Sequence, residues 1–333
     1  MDLVNNRKIL LREHPSGQPT DDCFEIVTDR VPHVAPGQAV VRVRYLSVDP
    51  AQRIWMNPGG AYGFEAAPGL PMLSLGVGEV VDSRNPRYPL GAWVGGKLRW
   101  QQYAVVDDAD DPWVLPMGAD PLLSLGVLGM NGQTAYWGLF DIGKPVPGET
   151  VLISAAAGAT GSIAGQLARI AGCRVVGLAG TEAKRDWLLE LGFDAALDYR
   201  SPDLPKLLDE ACPDGVHVFF DNTGGPVLDL ALTRLALGGR VVLCGAIASY
   251  NDNGQPVGPA AYRMLIRQRG VMQGFIVMDY ADRYGEALTK LAGWVADGSL
   301  QHREDVVHGL DNAPEALRRV LRGDNDGKMV VAL

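Results

Sequence analysis

The stretch Val151–Gly161, VLISAAAGATG, decides how this chain is read. Its apolar start reads as a buried strand, Thr150–Ser154, and its small residues read as a tight turn. A helix pattern over Thr160–Ala171 follows and stops at Gly172. A strand that turns through glycine into a helix offers backbone N–H groups and the positive end of a helix dipole to a phosphate. Ala156, Gly158 and Gly161 form A-x-G-x-x-G, an altered form of the dinucleotide-binding fingerprint. Gly158 lets the backbone approach a pyrophosphate, and Gly161 lets the helix pack close to the sheet. The expected contacts are Ala156, Gly158, Ala159, Thr160 and Gly161. Such spacing is common in Gly/Ala-rich turns, so its weight comes from what surrounds it.

Downstream of about Leu125, strand and helix signals alternate, which predicts a doubly wound parallel sheet with helices on its faces. The predicted strands are Thr150–Ser154, Arg174–Ala179, Ala195–Asp198, Val216–Asp221, Arg240–Cys244 and Met272–Val277. Helices fall at Glu182–Leu191, Leu204–Ala211, Val227–Leu235 and Tyr280–Ala296. Upstream, short alternating runs at Val40–Tyr45, Gly76–Val81 and Gln102–Val106 are punctuated by Pro36-Gly37, Pro58-Gly59-Gly60 and Pro68-Gly69. That half reads as all-β, a partly open barrel. The tail gives a strand at Val306–His308, a helix at Pro314–Leu321, a turn at Gly323–Gly327 and a last strand, Lys328–Leu333. This last strand is expected to pair with the N-terminal sheet. The division is therefore 1–125, 126–300 for the nucleotide-binding domain, and 301–333 returning to the first domain.

The second strand of the alternation ends in Gly180-Thr181, with Lys184 and Arg185 just beyond. A site for NAD places an acid near there for the ribose hydroxyls; small residues followed by cations suit the extra phosphate of NADP(H). Lys184 is the preferred ligand, although a solvated helix cation explains any single lysine, and Glu182 works against the reading. After the fourth strand, Asp221-Asn222-Thr223-Gly224-Gly225 either presents amides to a ribose or nicotinamide or forms an Asx-type turn. After the fifth, Cys244-Gly245-Ala246-Ile247 is placed to line a nicotinamide, and Tyr250 to donate a hydrogen bond to a substrate oxygen.

Bulk properties narrow the partners. The chain of 333 residues carries a net charge of −9 and no long basic run, which points away from nucleic acid and anionic membranes. No apolar run approaches the roughly 20 residues of a membrane span. The first residues, MDLVNNRKILLREHPSG, lack a signal-peptide core, so a cytoplasmic enzyme is expected. The four cysteines, Cys23, Cys173, Cys212 and Cys244, form no CxxC pair, and Cys173 and Cys244 read as small buried hydrophobes. The five histidines form no HExxH, and no metal site is expected.

At this point the chain resembles the zinc-independent medium-chain dehydrogenase/reductases of the prostaglandin reductase, leukotriene B4 12-hydroxydehydrogenase and plant double-bond reductase type. The resemblance rests on YLSVDP (45–50), GVGEV (76–80), GMNGQTAYWGL (129–139) and SAAAGATGSIAGQLARIAGCRVVG (154–177). It continues through LGFDAALDYR (191–200), FDNTGG (220–225), CGAIASYN (244–251) and GDNDGK (323–328), nearly the full length. It implies a GroES-like catalytic domain, a Rossmann domain, an active site in the cleft, and NADPH as hydride donor to the β-carbon of an enal or enone. By position it implies Lys184 and Tyr199 at the 2′-phosphate, beside the strand end at Gly180, and Asn222 and Asn325 near ribose and nicotinamide. It also implies Phe275, Ile276 and Val277 beside the nicotinamide, Tyr250 facing the substrate, and a homodimer joined at the sheet edge around the sixth strand. Two departures stand out. Ala51-Gln52 replaces an aromatic pattern after Asp49-Pro50, and Gly59–Leu75 differs from the familiar form. Trp55, Tyr62 and Phe64 either replace the lost pocket wall or pack the loop. A quinone reductase and a non-catalytic NADPH-binding module are the alternatives to an ene-reductase.

Overall fold

The computed structural model describes residues 5–31, 33–252 and 257–333. The N-terminal part contains β1 (Asn5–Leu11), β2 (Phe24–Arg30), β3 (Ala39–Ser47), α1 (Ala51–Trp55), β4 (Gly76–Ser83), β5 (Trp93–Gly96), β6 (Tyr103–Val106) and β7 (Trp113–Val114). The middle holds α2 (Met130–Trp137), β8 (Thr150–Ile153), α3 (Ala159–Ile170), β9 (Arg174–Ala179), α4 (Glu182–Glu190), β10 (Ala195–Asp198), α5 (Leu204–Ala211) and β11 (Val216–Asp221). It continues with α6 (Gly225–Leu232), β12 (Leu235–Leu243), α7 (Met264–Gln268), β13 (Val271–Gly274) and α8 (Tyr284–Ala296). The tail adds β14 (Glu304–His308), α9 (Ala313–Arg322) and β15 (Lys328–Ala332). The chain divides into two compact units, 1–125 with 304–333, and 126–303.

The first unit is built on an antiparallel-rich sheet ordered β14-β15-β3-β4-β5-β7, beside a two-stranded β1-β2 sheet. One edge of β3 is shared. Its first half, Ala39–Arg42, pairs with β6, and its last residues, Tyr45–Ser47, pair with β15. The tail strand therefore completes the N-terminal sheet, as its apolar ending predicts. The GDNDGK and YLSVDP segments meet here. Buried Lys328 donates to the Asp49 carboxylate at 2.5 Å and to the Val48 carbonyl at 3.2 Å. Ser47 donates to the other Asp49 oxygen. The pocket-wall aromatics pack the loop: Trp55 and Phe64 are buried and stack on each other at 4.7 Å, while Tyr62 is exposed with a left-handed φ of 57°.

The second unit is a six-stranded parallel sheet, β10-β9-β8-β11-β12-β13. Its central strand β8 is buried along its whole length, as a strand covered on both faces by helices must be. The strand order reverses between β8 and β11, the switch point where open α/β sheets open a crevice. Several predicted bounds differ, among them the helix expected at Val227–Leu235, which runs Gly225–Leu232 and leaves Leu235 to the next strand. β12 starts five residues before Arg240, at Leu235, because Gly238 (φ 72°) and Gly239 let the chain shift register against β11 without ending the strand. The sixth strand ends at Gly274, so Phe275–Val277 is its exit, and a 3-10 stretch, Val277–Arg283, precedes α8. Among the described residues no helix is long and apolar enough to cross a membrane.

Candidate functional site

The predicted residues of the second unit gather at the carboxyl edge of the parallel sheet. After β8, Ala155 takes a left-handed φ of 46°, and Ala156, wholly buried, donates its N–H to the Leu178 carbonyl at 3.0 Å. Gly158 is the N-cap of α3, so the helix starts on a residue with no side chain to occupy its first N–H groups. A Cβ on Gly161 would run into the Ala155 carbonyl oxygen and lie 2.9 Å from the Ala156 Cα, so the close approach of α3 to the turn requires glycine there. Ala159 and Thr160 complete the first helical turn, and the Thr160 hydroxyl accepts from Asn131 of α2 at 3.2 Å. Gly165 and Gly177, unused in the sequence reading, serve the same packing: a Cβ on either would strike the Phe193 ring.

The switch point is stitched by Asp221. Its side chain is wholly buried, and its Oδ1 accepts from the Ser154 hydroxyl at 2.8 Å and the Thr223 N–H at 2.9 Å. It also accepts from the Thr223 hydroxyl at 3.2 Å and the Gly224 N–H at 3.0 Å. Burial raises its pKa, and those four donors pull against the rise. This is the Asx-type turn that the composition allowed. Asn222 is oriented by it: its N–H goes to the Ser154 hydroxyl at 2.8 Å and its Nδ2 to the Ser154 carbonyl at 2.7 Å. The β11 exit is thereby tied to the β8 exit.

Beyond β12, Cys244 and Gly245 both donate backbone N–H groups to the Asp221 carbonyl, at 2.8 and 3.0 Å. Cys244 lies just past the strand, half-buried, and not within it as expected. Burial beside Asp221 pushes its thiol up to about 12, so it is an uncharged group at pH 7. Ile247 begins a 3-10 turn that ends at Tyr250, whose hydroxyl folds back to accept the Ala246 N–H at 3.2 Å. Phe275, Ile276 and Val277 follow β13 on the same edge. The Phe275 ring packs over Gly138, and the Val277 carbonyl accepts the Tyr284 hydroxyl at 3.0 Å.

At the other side of the sheet, Gly180 follows β9, and the Thr181 hydroxyl caps α4 by accepting the Lys184 N–H at 3.4 Å. Tyr199 follows β10 and is half exposed. Arg185 is ion-paired with Asp198 at 3.2 Å, which gives it a structural role. Arg200, a cation two residues past the predicted strand Ala195–Asp198, stacks on Tyr199. Asn325 belongs to the first unit, in the turn before β15, where its Nδ2 donates to the Gly327 carbonyl at 2.7 Å.

Two family models match: one described as the N-terminal domain of oxidoreductase over residues 7–112, the other as zinc-binding dehydrogenase over residues 159–293. The description of the second names zinc; among the described residues no three His, Cys, Asp or Glu side chains gather as metal ligands. The chain is 39% identical to prostaglandin reductase 1 of Oryctolagus cuniculus, covering 98% of this chain and 93% of that one. It is 37% identical to the NADP(+)-dependent 2-alkenal reductase of Nicotiana tabacum, covering 98% and 97%. Among solved structures, CurA of Vibrio vulnificus in complex with NADPH superposes with a TM-score of 0.93 at 38% identity over 98% of both chains. With similarity running through both units, the chain belongs to the medium-chain dehydrogenase/reductase family, in the group of the prostaglandin and 2-alkenal reductases.

Proposed function

We propose that the protein is an NADPH-dependent ene-reductase, acting without zinc on α,β-unsaturated aldehydes and ketones. The observation that carries this reading is Tyr250, held by the Ala246 N–H at the carboxyl edge of the sheet, next to the backbone of Gly245–Ile247. A phenol that accepts a backbone N–H still carries a proton to donate. A donor of that kind strengthens as negative charge grows on a carbonyl oxygen, which is what forming an enolate demands.

Bound NADPH supplies a hydride to the β-carbon. The chain's own residues do the rest. The bare N-terminus of α3, beginning at Gly158, binds the pyrophosphate over the buried Ala156, and Lys184 with Tyr199 holds the 2′-phosphate. Asn222, fixed through Ser154, serves the ribose, and the backbone of Gly245–Ile247 and Phe275–Val277 orients the ring. Tyr250 donates to the substrate oxygen while the carbon–carbon π pair shifts to join the α-carbon to the carbonyl carbon and the carbonyl π pair moves onto that oxygen, giving the enolate. The α-carbon then takes a proton from water or from Tyr250, giving the saturated carbonyl. The 2-alkenal of the tobacco relative's name is an α,β-unsaturated aldehyde, the acceptor this chemistry suits. On the same reading the protein works in the cytoplasm.

The test is NADPH absorbance loss with a medium-chain 2-alkenal, an aryl enone and a simple quinone, with product analysis. Saturated carbonyl from the enal or enone is the expected result. Consumption with the quinone alone, or an allylic alcohol as product, overturns the reading.

A further inference from the structure

Three cations stand beside the carboxyl ends of β9 and β10: Lys184, Arg185 and Arg200. Arg185 is balanced by Asp198. Arg200 is held differently. Its guanidinium carbon lies 5.2 Å from the centroid of the Tyr199 ring, and its Nε donates to the Tyr199 hydroxyl at 3.1 Å. One terminal nitrogen lies 3.5 Å from the Gly180 carbonyl. Among the described residues its guanidinium forms no ion pair with a carboxylate. Gly180 is what admits this stack: a Cβ there would come within 2.9 Å of the Tyr199 ring and 3.1 Å of the Arg200 guanidinium carbon. A side chain at 180 would therefore displace both residues.

We infer that Arg200 is a second cation for the cofactor's 2′-phosphate, and that it sets the preference for NADPH over NADH together with Lys184. The inference rests on the proposed reading that Lys184 and Tyr199 hold that phosphate. Two physical features support it. A planar guanidinium binds phosphate through two parallel N–H groups, which a point-charge ammonium does not. Because Arg200 donates to the Tyr199 oxygen, the phenol must use its own proton as a donor elsewhere, and a phosphate oxygen is the acceptor that suits it.

The experiment is fluorescence titration of the full chain with NADPH and NADH, with adenosine 2′,5′-bisphosphate and 5′-AMP as competing probes. Arg200→Ala should weaken NADPH and the bisphosphate about tenfold, and NADH and 5′-AMP by less than about twofold. Arg200→Lys should recover part of the loss, since it restores charge without the plane. Arg200 is exposed, so an unchanged melting temperature is expected. Equal weakening of NADPH and NADH, or no change in either, overturns the role of Arg200. Lys184→Ala run in parallel separates the two claims. If that variant leaves the NADPH-to-NADH ratio unchanged while Arg200→Ala lowers it, the Lys184 reading fails and Arg200 stands.

Discussion

The Tyr250 hydroxyl accepts the Ala246 N–H and, on the proposed reading, donates to the substrate oxygen; the effects of losing these two bonds fall on different readouts. Tyr250→Phe keeps the ring and removes both bonds. Losing the backbone contact costs about 1 kcal/mol of stability. Losing a donor aimed at a developing oxyanion should lower kcat about 100-fold. The NADPH dissociation constant should stay within about twofold, since the change falls on a bond formed to substrate. Steady-state kinetics beside an NADPH titration checks the split, and an unchanged kcat removes Tyr250 from the mechanism. At this scale the sequence shows which residue types stand at strand ends but not where their hydrogen bonds run. Asp221-Asn222-Thr223 reads equally well as ligand or as turn. Only the positions of Ser154, Thr223 and Gly224 around one buried carboxylate show that Asp221 forms the turn and thereby orients Asn222.

Elements show what ties the strands behind that edge. Arg240 of β12 donates to both carboxylate oxygens of Glu149, at 2.9 and 2.6 Å, and to the Gly143 and Lys144 carbonyls. This joins the residue before β8 to the second half of β12 across β11. Burial raises the Glu149 pKa, but the Arg240 hydrogen bonds and charge outweigh it and leave the carboxyl below its ordinary 4.5. A depressed folded-state pKa gives stability that is fully present above 4.5 and is lost as pH falls through the folded value. Glu149→Gln should therefore cost about 1–3 kcal/mol at pH 7, and the gap from the parent should narrow as pH falls below the carboxylate range. Urea unfolding at several pH values checks this; a constant gap would mean that packing, not charge, carries the effect. The strands themselves were legible. Arg174–Ala179, Ala195–Asp198 and Val216–Asp221 have the predicted bounds because each is an apolar run closed by turn residues. In the sequence Gly238-Gly239 looks like a turn that would delay the strand to Arg240, whereas the pair makes a register shift inside one strand. Val277–Arg283 divides in sequence between a strand and a helix pattern because neither period separates a 3-10 stretch from its neighbours.

For the whole molecule, the parallel sheet ends differently on its two sides. β10 is half-buried along its length, whereas β13 opens with Val271, which is 54% exposed. Near it in the sheet or chain stand Leu237 at 63%, Tyr262 at 56% and Ile266 at 77% exposure. β13 pairs only with β12 among the described residues, so its outer edge carries unpaired backbone groups beside an apolar patch. An edge of that kind invites pairing, and proteins that leave it open usually guard it with charge. The same strand from a second copy, related by a two-fold axis, would satisfy the edge and cover the patch at once. The homodimer implied by the family resemblance is therefore predicted to form here. Val271→Lys places a charge on the pairing edge, and Ile266→Glu places one in the patch away from the ladder. Both should convert a dimer to a monomer in sedimentation equilibrium at assay concentrations while the melting curve stays cooperative. A dimer that survives both substitutions assembles through another surface, and a monomeric parent chain would mean that this edge is left bare.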